Sequence, residues 1–258
     1  MKVYSWNMLF KNAQQDRAFA FIKESDFDIF CLQEVSGAFL KRLQSLPCHL
    51  AYEIDVERLL PIREIIYSVI LSRYPIQKQQ RISFRDYWDA MPWRARFFTR
   101  AMRPFAFTRV TNRGALTVEL LVPGASAPIR VFNLHLVLAH PTWRLEELEQ
   151  ALAERDTRVP TVVCGDFNIL ESSHITILNW FLGGRVSDAL RYKRERLSIE
   201  KRFIAYELTN PLRGTSTHPL SQSQLDHILV SKQFSIKNAA VIPDRYGSDH
   251  HPICVETA

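Results

Sequence analysis

Long apolar runs, metal-type cysteine spacings and low-complexity tracts are missing from this sequence of 258 residues. No apolar run approaches the roughly 20 residues that a membrane-spanning helix needs. The first residues, MKVYSWNML, lack the long apolar stretch of a secretory signal peptide. Of the four cysteines, Cys31, Cys164 and Cys254 lie inside apolar runs, where a free thiol behaves as a small apolar side chain. We therefore expect reduced thiols and a cytoplasmic protein.

The composition indicates the structural class of the protein, and the distribution of charge indicates the kind of partner. An apolar fraction of 47% and a charged fraction of 23% are those of a globular protein and exclude wholesale disorder. We expect a single domain over residues 1–258, and a monomer, because α/β architectures often reach this size as one unit. The net charge is +6, and residues 81–113 alone hold eight arginines against two aspartates. Such a charge favours a polyanion or an anionic surface as partner.

Strand-like apolar runs alternate along the chain with amphipathic helix-like segments, two of which follow the N-cap candidates Ser36 and Thr142. The strand-like runs are KVYSWNML, DIFCLQEV, YSVILS, ALTVELLV, IRVFNLHLV, TVVCGDFNIL, QLDHILV and PICVET. Residues 75–113 and 191–202 interrupt this alternation. Because strands come both in adjacent pairs and separated by helices, the pattern predicts a layered α/β fold with mixed sheets.

Polar side chains stand repeatedly where these apolar runs begin or end. A single Asn or Asp at a strand end is most often a turn residue, so each one taken alone is weak evidence for a site. The residues in question are Asn7, Glu34, His135, Asp166, Asn168, Asp226, Asp249 and His250. Since desolvated carboxylates need compensation, their recurrence indicates a cation shared among several of them.

The chemistry of this set favours a hard divalent cation. Carboxylates and amides are the oxygen ligands that suit Mg²⁺ or Mn²⁺. Histidines beside such a cluster complete what hydrolysis of a phosphate ester requires, namely a Lewis acid, a base for water and donors for the developing charge. Asp166 and Asn168 are two residues apart, so on an extended backbone both side chains face one bound phosphate.

The motifs SWNM, LQEV, NLHL, GDFN, LDHILV and GSDHHP occur in an order that resembles the endonuclease/exonuclease/phosphatase superfamily. The resemblance runs from residue 3 to residue 254. This superfamily of metal-dependent phosphoesterases includes deoxyribonucleases, abasic-site endonucleases, neutral sphingomyelinases and inositol polyphosphate phosphatases. The resemblance implies a four-layer α/β sandwich, in which two packed mixed sheets are flanked by helices and the site lies at one edge of both sheets.

The resemblance also implies which residues hold the metal. Asn7 and Glu34 look like metal-site residues, with Glu34 as the principal ligand of Mg²⁺ (or Mn²⁺), and Asp249 supports the same site. The resemblance implies catalytic roles for the remaining motif residues.

Asp166 and Asn168 of GDFN are expected to position the phosphate and the attacking water or leaving group. Asp226 of LDH is expected to orient His250 of SDH. This last pair makes physical sense, because a carboxylate fixes the tautomer of an imidazole and raises its basicity.

His135 separates branches of the superfamily. Its motif, NLHL, is similar to that of deoxyribonuclease-like and sphingomyelinase-like members, in which this histidine contacts the scissile phosphate and is partnered by a glutamate from an earlier strand. Glu64 is our candidate for that partner, although the residues around it depart from the usual pattern.

The basic stretch 81–113 leaves three interpretations open. Its arginines are interleaved with Phe84, Tyr87, Trp88, Trp93, Phe97, Phe98, Phe105 and Phe107. Arginines on phosphates and aromatics stacked on bases would bind single-stranded nucleic acid. A short helix between Pro92 and Pro104 would instead lie on anionic lipid, with Trp93, Phe97, Ala101 and Met102 on one side and Arg96, Arg100 and Arg103 on the other. In the third interpretation the aromatics pack into the core.

These observations predict an Mg²⁺-dependent (or Mn²⁺-dependent) phosphodiesterase, nuclease-like on DNA or RNA. The first alternative is a phospholipase C-like or sphingomyelinase-like hydrolase that meets an anionic membrane surface through residues 84–107. The second is an inactive binding module of the same fold, against which the intact set of acids, amides and histidines argues.

Overall fold

The computed structural model describes residues 1–59, 63–102, 109–125, 127–138, 140–153, 155–191 and 193–258. In chain order its elements are β1 (Lys2–Asn7), α1 (Gln15–Glu24), β2 (Ile29–Ser36), α2 (Gly37–Leu43), β3 (His49–Arg58), β4 (Glu64–Ser72), β5 (Ile76–Ser83), α3 (Trp93–Ala101), β6 (Val110–Thr111), β7 (Gly114–Leu120), β8 (Ile129–His135), α4 (Pro141–Ala153), β9 (Thr161–Asp166), α5 (Ile177–Phe181), α6 (Val186–Leu190), α7 (Lys193–Ala205), β10 (Leu208–Thr209), β11 (Asp226–Ser231), β12 (Ile236–Val241) and β13 (Ile253–Thr257).

The strands form two mixed sheets that pack face to face. The first has the order β12-β13-β1-β2-β4-β3-β6 and the second the order β10-β11-β9-β8-β7-β5. Their facing side chains form one buried cluster, in which Val3 and Ile29 of the first sheet join Val131 and Val162 of the second. The predicted α/β sandwich of two packed mixed sheets flanked by helices is confirmed.

The outer faces of both sheets are also buried, which explains why the strands read as continuous apolar runs. On β2, Ile29 and Cys31 face the second sheet, whereas Phe30 and Leu32 face helices α1 and α2. This is the two-residue alternation of a strand covered on both faces. Helices α4 and α7 cover the outer face of the second sheet in the same way.

Two cap predictions had different outcomes. Ser36 is the N-cap of α2 and accepts a hydrogen bond from the backbone N–H of Phe39, as predicted. Thr142 is not a cap, because α4 begins one residue earlier at Pro141, whose fixed φ suits the first helical position. Strand β3 and helix α7 were not predicted. Helix α7 begins in the charged stretch 191–202 that interrupted the pattern and extends to Ala205, and its apolar face is limited to positions such as Ile199 and Phe203.

In the described residues, no helix has the length and apolar character needed to cross a bilayer. All four cysteines are free thiols, and Cys31 and Cys164 are buried in the core between the sheets. The cytoplasmic location stays a prediction.

The topology brings polar strand ends to one edge of the sandwich. β1 and β2 are parallel neighbours in the first sheet, and β8 and β9 are parallel neighbours in the second. Their carboxyl ends carry Asn7, Glu34, His135 and Asp166. β11 runs antiparallel to β9, so its first residue, Asp226, pairs with Asp166. The chain also enters β13 next to the end of β1, because β13 is the antiparallel neighbour of β1.

Gly165, immediately before Asp166, occupies a position where no other residue fits. Its φ is +139°, and a Cβ placed on it would lie 1.8 Å from the carbonyl oxygen of Leu134 on the neighbouring strand. Because both the backbone conformation and the space exclude a side chain, the glycine of the GDFN motif allows β8 and β9 to approach.

We therefore expect Gly165→Ala to lower the free energy of unfolding by about 3 kcal/mol or more, since a clash with backbone cannot be relieved by a side-chain rotation. The measurement is urea unfolding followed by circular dichroism. Gly214 is a matched control, because its φ is also positive (+79°) but nothing lies within 4 Å of a Cβ there. Gly214→Ala should cost about 1–2 kcal/mol. Equal losses in the two variants would contradict the clash.

Candidate active site

Polar side chains from both sheets surround the carboxylate of Asp166. Its Oδ2 accepts a hydrogen bond from Nδ2 of Asn7 (3.0 Å), which also lies 3.3 Å from Oε1 of Glu34. The Nε2 atoms of His135 and His250 each lie 3.8 Å from the same Asp166 oxygen. One carboxylate oxygen therefore has an amide and two imidazoles around it, contributed by both sheets.

Glu34 is held in a strained conformation at a β-bulge. The pairing of β2 with β4 shifts register between Leu32 and Val35, and Glu34 has a φ of +56°. Its Oε2 accepts the backbone N–H of Phe10 (3.2 Å), and its side chain is 20% exposed. Bulges and positive φ values of non-glycine residues cluster at functional sites because they re-aim a side chain. Here the bulge turns a strand residue into the cleft.

The electrostatics around Glu34 fit a cation. Burial raises the pKa of Glu34, the imidazole of His135 opposes this, and the negative charge of Asp249 raises it further. Two carboxylates that repel each other in a partly buried cleft are a site where a divalent ion compensates. Glu34, Asp166 and Asp249 supply hard oxygens, so the residues present fit Mg²⁺ or Mn²⁺.

Asn7 contacts these carboxylates through its nitrogen. Its Oδ1 accepts the backbone N–H of Leu9 (3.1 Å), while Nδ2 faces Glu34 and Asp166. In this geometry Asn7 holds the two carboxylates together. Its predicted role as a direct metal ligand stays a prediction.

The partner of His135 is Asp55, so the assignment of Glu64 was wrong. Nδ1 of His135 lies 2.7 Å from Oδ2 of Asp55, whose side chain is fully buried. Asp55 stands at a second β-bulge, between Ile54 and Val56 of β3, whereas Glu64 begins β4 and pairs with Arg58. The bulge directs the Asp55 carboxylate towards the second sheet.

The surroundings of His135 favour its charged form. Burial opposes protonation, but the carboxylates of Asp55, Asp166 and Glu34 outweigh it and raise the pKa of His135 to about 9. Since Nδ1 is engaged by Asp55, the proton that His135 presents to the cleft is on Nε2.

His250 has the predicted partner. Nδ1 of His250 lies 2.9 Å from Oδ2 of Asp226, and the hydroxyl of Thr217 donates to the same oxygen at 2.6 Å. Burial again opposes protonation, but Asp226 and Asp166 raise the pKa of His250 to about 10. The segment is anchored to β1, since the Ser248 hydroxyl donates to the Asn7 carbonyl (2.7 Å). Both histidines thus direct Nε2 towards Asp166.

Asn168 lies against Asp166, but the argument from an extended backbone was wrong. β9 ends at Asp166, and Asn168 has a φ of +53°, so the backbone is not extended across the motif. The backbone N–H of Asn168 donates to Oδ1 of Asp166 (2.9 Å), and its Nδ2 donates to the carbonyl of Leu136 (2.9 Å). The motif is a turn closed by its own aspartate.

Asp249 lies at the mouth of the cleft, with its side chain 50% exposed. Burial raises its pKa, but His218 and His250 outweigh this and hold the pKa of Asp249 at about 2. His218, whose Nε2 lies 3.8 Å from Oδ2 of Asp249, was not predicted. Asp55 was also missed, although an aspartate between Ile54 and Val56 of a strand is a detectable signal. His218 stands in a loop and offered none.

The structure thus brings all eight predicted site residues to one edge of a phosphoesterase fold. The family model described as Endonuclease/Exonuclease/phosphatase family matches residues 4–250, and the chain belongs to this family. Its members are generally hydrolytic phosphoesterases that use divalent metal ions. No curated protein matches the sequence.

Solved structures show the same fold at low sequence identity. An endonuclease/exonuclease/phosphatase from Beutenbergia cavernae is 20% identical, with a TM-score of 0.71 over 99% of this chain and 70% of that one. A functionally unknown conserved protein from Enterococcus faecalis is 15% identical, with a TM-score of 0.69 over 100% and 99% of the two chains. The human Nocturnin catalytic domain with bound sulfate is 16% identical, with a TM-score of 0.63 over 100% and 93%.

The pairing of Asp55 with His135 leads to a prediction about titration. Asp55→Asn removes the carboxylate that most favours the charged imidazole and leaves the burial that opposes it. The pKa of His135 should therefore fall by about one to three pH units. The measurement is an NMR titration of the imidazole in metal-free protein. Glu64→Gln is the control and should leave the titration of His135 unchanged; a shift caused by Glu64→Gln alone would reinstate the rejected partner.

Proposed function

We propose that this protein is an Mg²⁺-dependent (or Mn²⁺-dependent) phosphodiesterase with nuclease-like chemistry. The observation that carries the proposal is the position of two carboxylate-partnered imidazoles, His135 and His250, both 3.8 Å from Oδ2 of Asp166. His135 also lies 3.9 Å from Oε1 of Glu34. A phosphate ester needs donors for its oxygens, a positioned water and neutralised charge, and these groups are suited to supply them.

The metal would be held by Glu34 with support from Asp249, and Asn7 would keep Glu34 and Asp166 in place. When bound, a divalent cation supplies a Lewis acid that polarises the phosphoryl group and offsets its charge. Asp166 accepts hydrogen bonds and carries no proton donor when ionised, so its role in the cleft is to orient water or a leaving group together with Asn168.

The histidines act as donors at neutral pH. Since the pKa of His250 is raised to about 10 and that of His135 to about 9, both rings are protonated near pH 7 and present Nε2–H to the cleft. Protonated imidazoles can stabilise the phosphate oxygens or protonate the leaving oxygen, but they cannot abstract a proton from water. In this proposal His135 contacts the scissile phosphate, and so does His250, which is held by Asp226.

The charge of the protein supports a polyanionic substrate, although fewer arginines are available than the composition suggests. Within residues 81–113, Arg113 is buried against Glu147 and Arg94 donates to the carbonyls of Gly183 and Gly184. Arg85, Arg96 and Arg100 are exposed. The bound sulfate in the Nocturnin structure is an oxyanion in a protein of the same fold, which is consistent with a phosphate ester as substrate here.

A second candidate, hydrolysis at an anionic membrane surface, is favoured by helix α3. Trp93 and Phe97 are 76% and 67% exposed, and Arg96 and Arg100 are exposed beside them. The aromatic residues of the basic stretch 81–113 therefore do not all behave alike. Phe84 and Tyr87 are buried, as the core-packing interpretation requires, whereas Trp93 and Phe97 are exposed, as the membrane interpretation requires. Arg103, Pro104, Phe105 and Phe107 lie outside the described residues.

Helix α3 stands near the cleft. Its Phe98 and the preceding Tyr87 pack in one cluster with Leu182 and with Val137, which follows His135 by two residues. The exposed aromatics thus belong to an insertion that packs against the segment following β8, and a membrane interface there would place a lipid headgroup on the same side of the chain as His135.

Replacement of Glu34, Asp166 or His250 by alanine should lower kcat/KM for bis-p-nitrophenyl phosphate by at least about 100-fold, because each removes a ligand or donor from the cleft. The assay is release of p-nitrophenolate with Mg²⁺ or Mn²⁺, with circular dichroism to verify folding. Glu64→Gln is the matched control, and it should stay within about threefold of wild type because it lies outside the cleft.

Wild-type rates in any of the three alanine variants would contradict the assignment of the site. If the wild-type protein hydrolyses no phosphodiester with either metal, the inactive binding module becomes the better interpretation. Plasmid, single-stranded DNA, RNA and sphingomyelin vesicles, tested in parallel, identify the substrate class.

The double variant Trp93→Ala and Phe97→Ala tests the membrane alternative. If the helix inserts its aromatics, binding to phosphatidylcholine vesicles containing phosphatidylglycerol should weaken by about tenfold or more, since each buried aromatic contributes a few kcal/mol. Vesicle sedimentation measures it. Leu121→Ala with Ile236→Ala removes two other exposed apolar side chains and should have no effect. Equal binding of wild type and the Trp93/Phe97 variant would exclude this surface.

A further inference from the structure

A third histidine, His218, lies next to His250 in the site that contains His135 and His250. It lies in the loop between β10 and β11, and its ring centroid is 4.7 Å from that of His250. Its Nε2 lies 3.8 Å from Oδ2 of Asp249, and its side chain is 12% exposed. The proposed mechanism gives His218 no role, but its hydrogen bonds determine which ring nitrogen carries the proton.

The tautomer of His218 is determined by Ser221. The backbone N–H of Ser221 donates to Nδ1 of His218 (3.2 Å), and the Ser221 hydroxyl lies 2.9 Å from the same atom. A backbone nitrogen donates and cannot accept, so Nδ1 carries the lone pair. The proton of the neutral ring is therefore on Nε2, the atom that faces Asp249 and the cleft.

Two roles are open to His218: it could bind a metal ion, or it could donate a hydrogen bond to an anion. The tautomer distinguishes them. By ligand type, His218, Asp249 and His250 form a group whose ligand atoms lie within 4.8 Å of one another, the spacing of a metal site. A metal ligand needs a lone pair on Nε2, however, and with Nδ1 accepting from Ser221 that lone pair is replaced by N–H. His218 is therefore built to donate to an anion.

The loop that carries His218 is fixed to the catalytic pair. The hydroxyl of Thr217 donates to Asp226 and accepts the backbone N–H groups of Leu225 and Asp226, each at 3.0 Å. The backbone N–H of His251 donates to the carbonyl of Thr217 (2.9 Å). A donor held in place on both sides needs little reorganisation when charge develops in front of it.

We propose that His218 is a phosphate-contacting residue, whose Nε2–H donates to a non-bridging oxygen of the substrate phosphate beside His250. The inference rests on the proposed function, since it assigns a further donor to the same cleft. It predicts that His218 acts through its Nε2–H on phosphate, and through neither the metal nor the conformation of its loop.

Two substitutions separate these roles. His218→Asn keeps an oxygen near the position of Nδ1, which can accept the Ser221 N–H, and removes the Nε2 donor. His218→Gln has the opposite effect, because its amide nitrogen is as many bonds from the Cα as Nε2 is. With bis-p-nitrophenyl phosphate and Mn²⁺ we expect kcat/KM to fall about 100-fold in His218→Asn and to stay within about tenfold of wild type in His218→Gln.

The concentration of Mn²⁺ that gives half activation should be unchanged in both variants, as should the binding of Mn²⁺ without substrate. The reverse order of activities, with His218→Asn retained and His218→Gln lost, would mean that the loop hydrogen bond matters and would overturn the proposal. Activity of His218→Asn restored by excess Mn²⁺ would identify a metal ligand and overturn it equally.

Inorganic phosphate provides a readout that does not require turnover. Calorimetric titration in the presence of Mn²⁺ should show weaker binding to His218→Asn than to wild type and to His218→Gln. A wild type that binds phosphate in this way but hydrolyses no ester would refute the proposed function and leave the role of His218 standing. Equal phosphate binding by wild type and His218→Asn, or none by wild type, would refute the role itself.

Discussion

A buried carboxylate oxygen, Oδ2 of Asp166, is the constraint on which the rest of the site depends. Asn7 donates to it from the first sheet, and Nε2 of His135 and Nε2 of His250 each lie 3.8 Å from it. An ionised carboxylate in such a place is unfavourable unless donors or a cation compensate for the lost solvent. The sandwich must therefore hold its two sheets in one relative position, because the compensating groups come from both.

The polar contacts at this edge cross between the sheets. Asp55 of the first sheet holds His135 of the second, whereas Asp226 of the second sheet holds His250, which precedes a strand of the first. Asn7 and Asp166 form a third link. Since each imidazole takes its orientation and charge from the opposite sheet, a displacement of one sheet against the other would disturb both carboxylate–imidazole pairs together. The geometry of the two imidazoles therefore depends on how the apolar core holds the two sheets together.

Backbone irregularities position the acids that regular strands would leave elsewhere. Glu34 and Asp55 stand at β-bulges, and Glu34 and Asn168 have positive φ values. The insertion departs from the regular fold in another way: part of it, including Tyr87, packs beside the segment that follows β8, while Trp93 and Phe97 stay exposed. Two neighbouring exposed aromatics on one short helix form an apolar patch, which is why the proposed membrane alternative is placed at this part of the insertion.

The fold class and most of the site residues could be predicted from the sequence, because apolar runs of strand length indicate strands and because acids, amides and histidines at strand ends are visible as residue types. Asp166, Asn168, Asp226 and His250 could be named in this way. Not all contacts between these residues could be predicted, and the tertiary structure decided the rest: Asp55, and not Glu64, is the partner of His135, and His218 lies beside His250. The physical reason is that a bulge shifts a side chain between faces, and that a loop histidine acquires its role from neighbours distant in the chain.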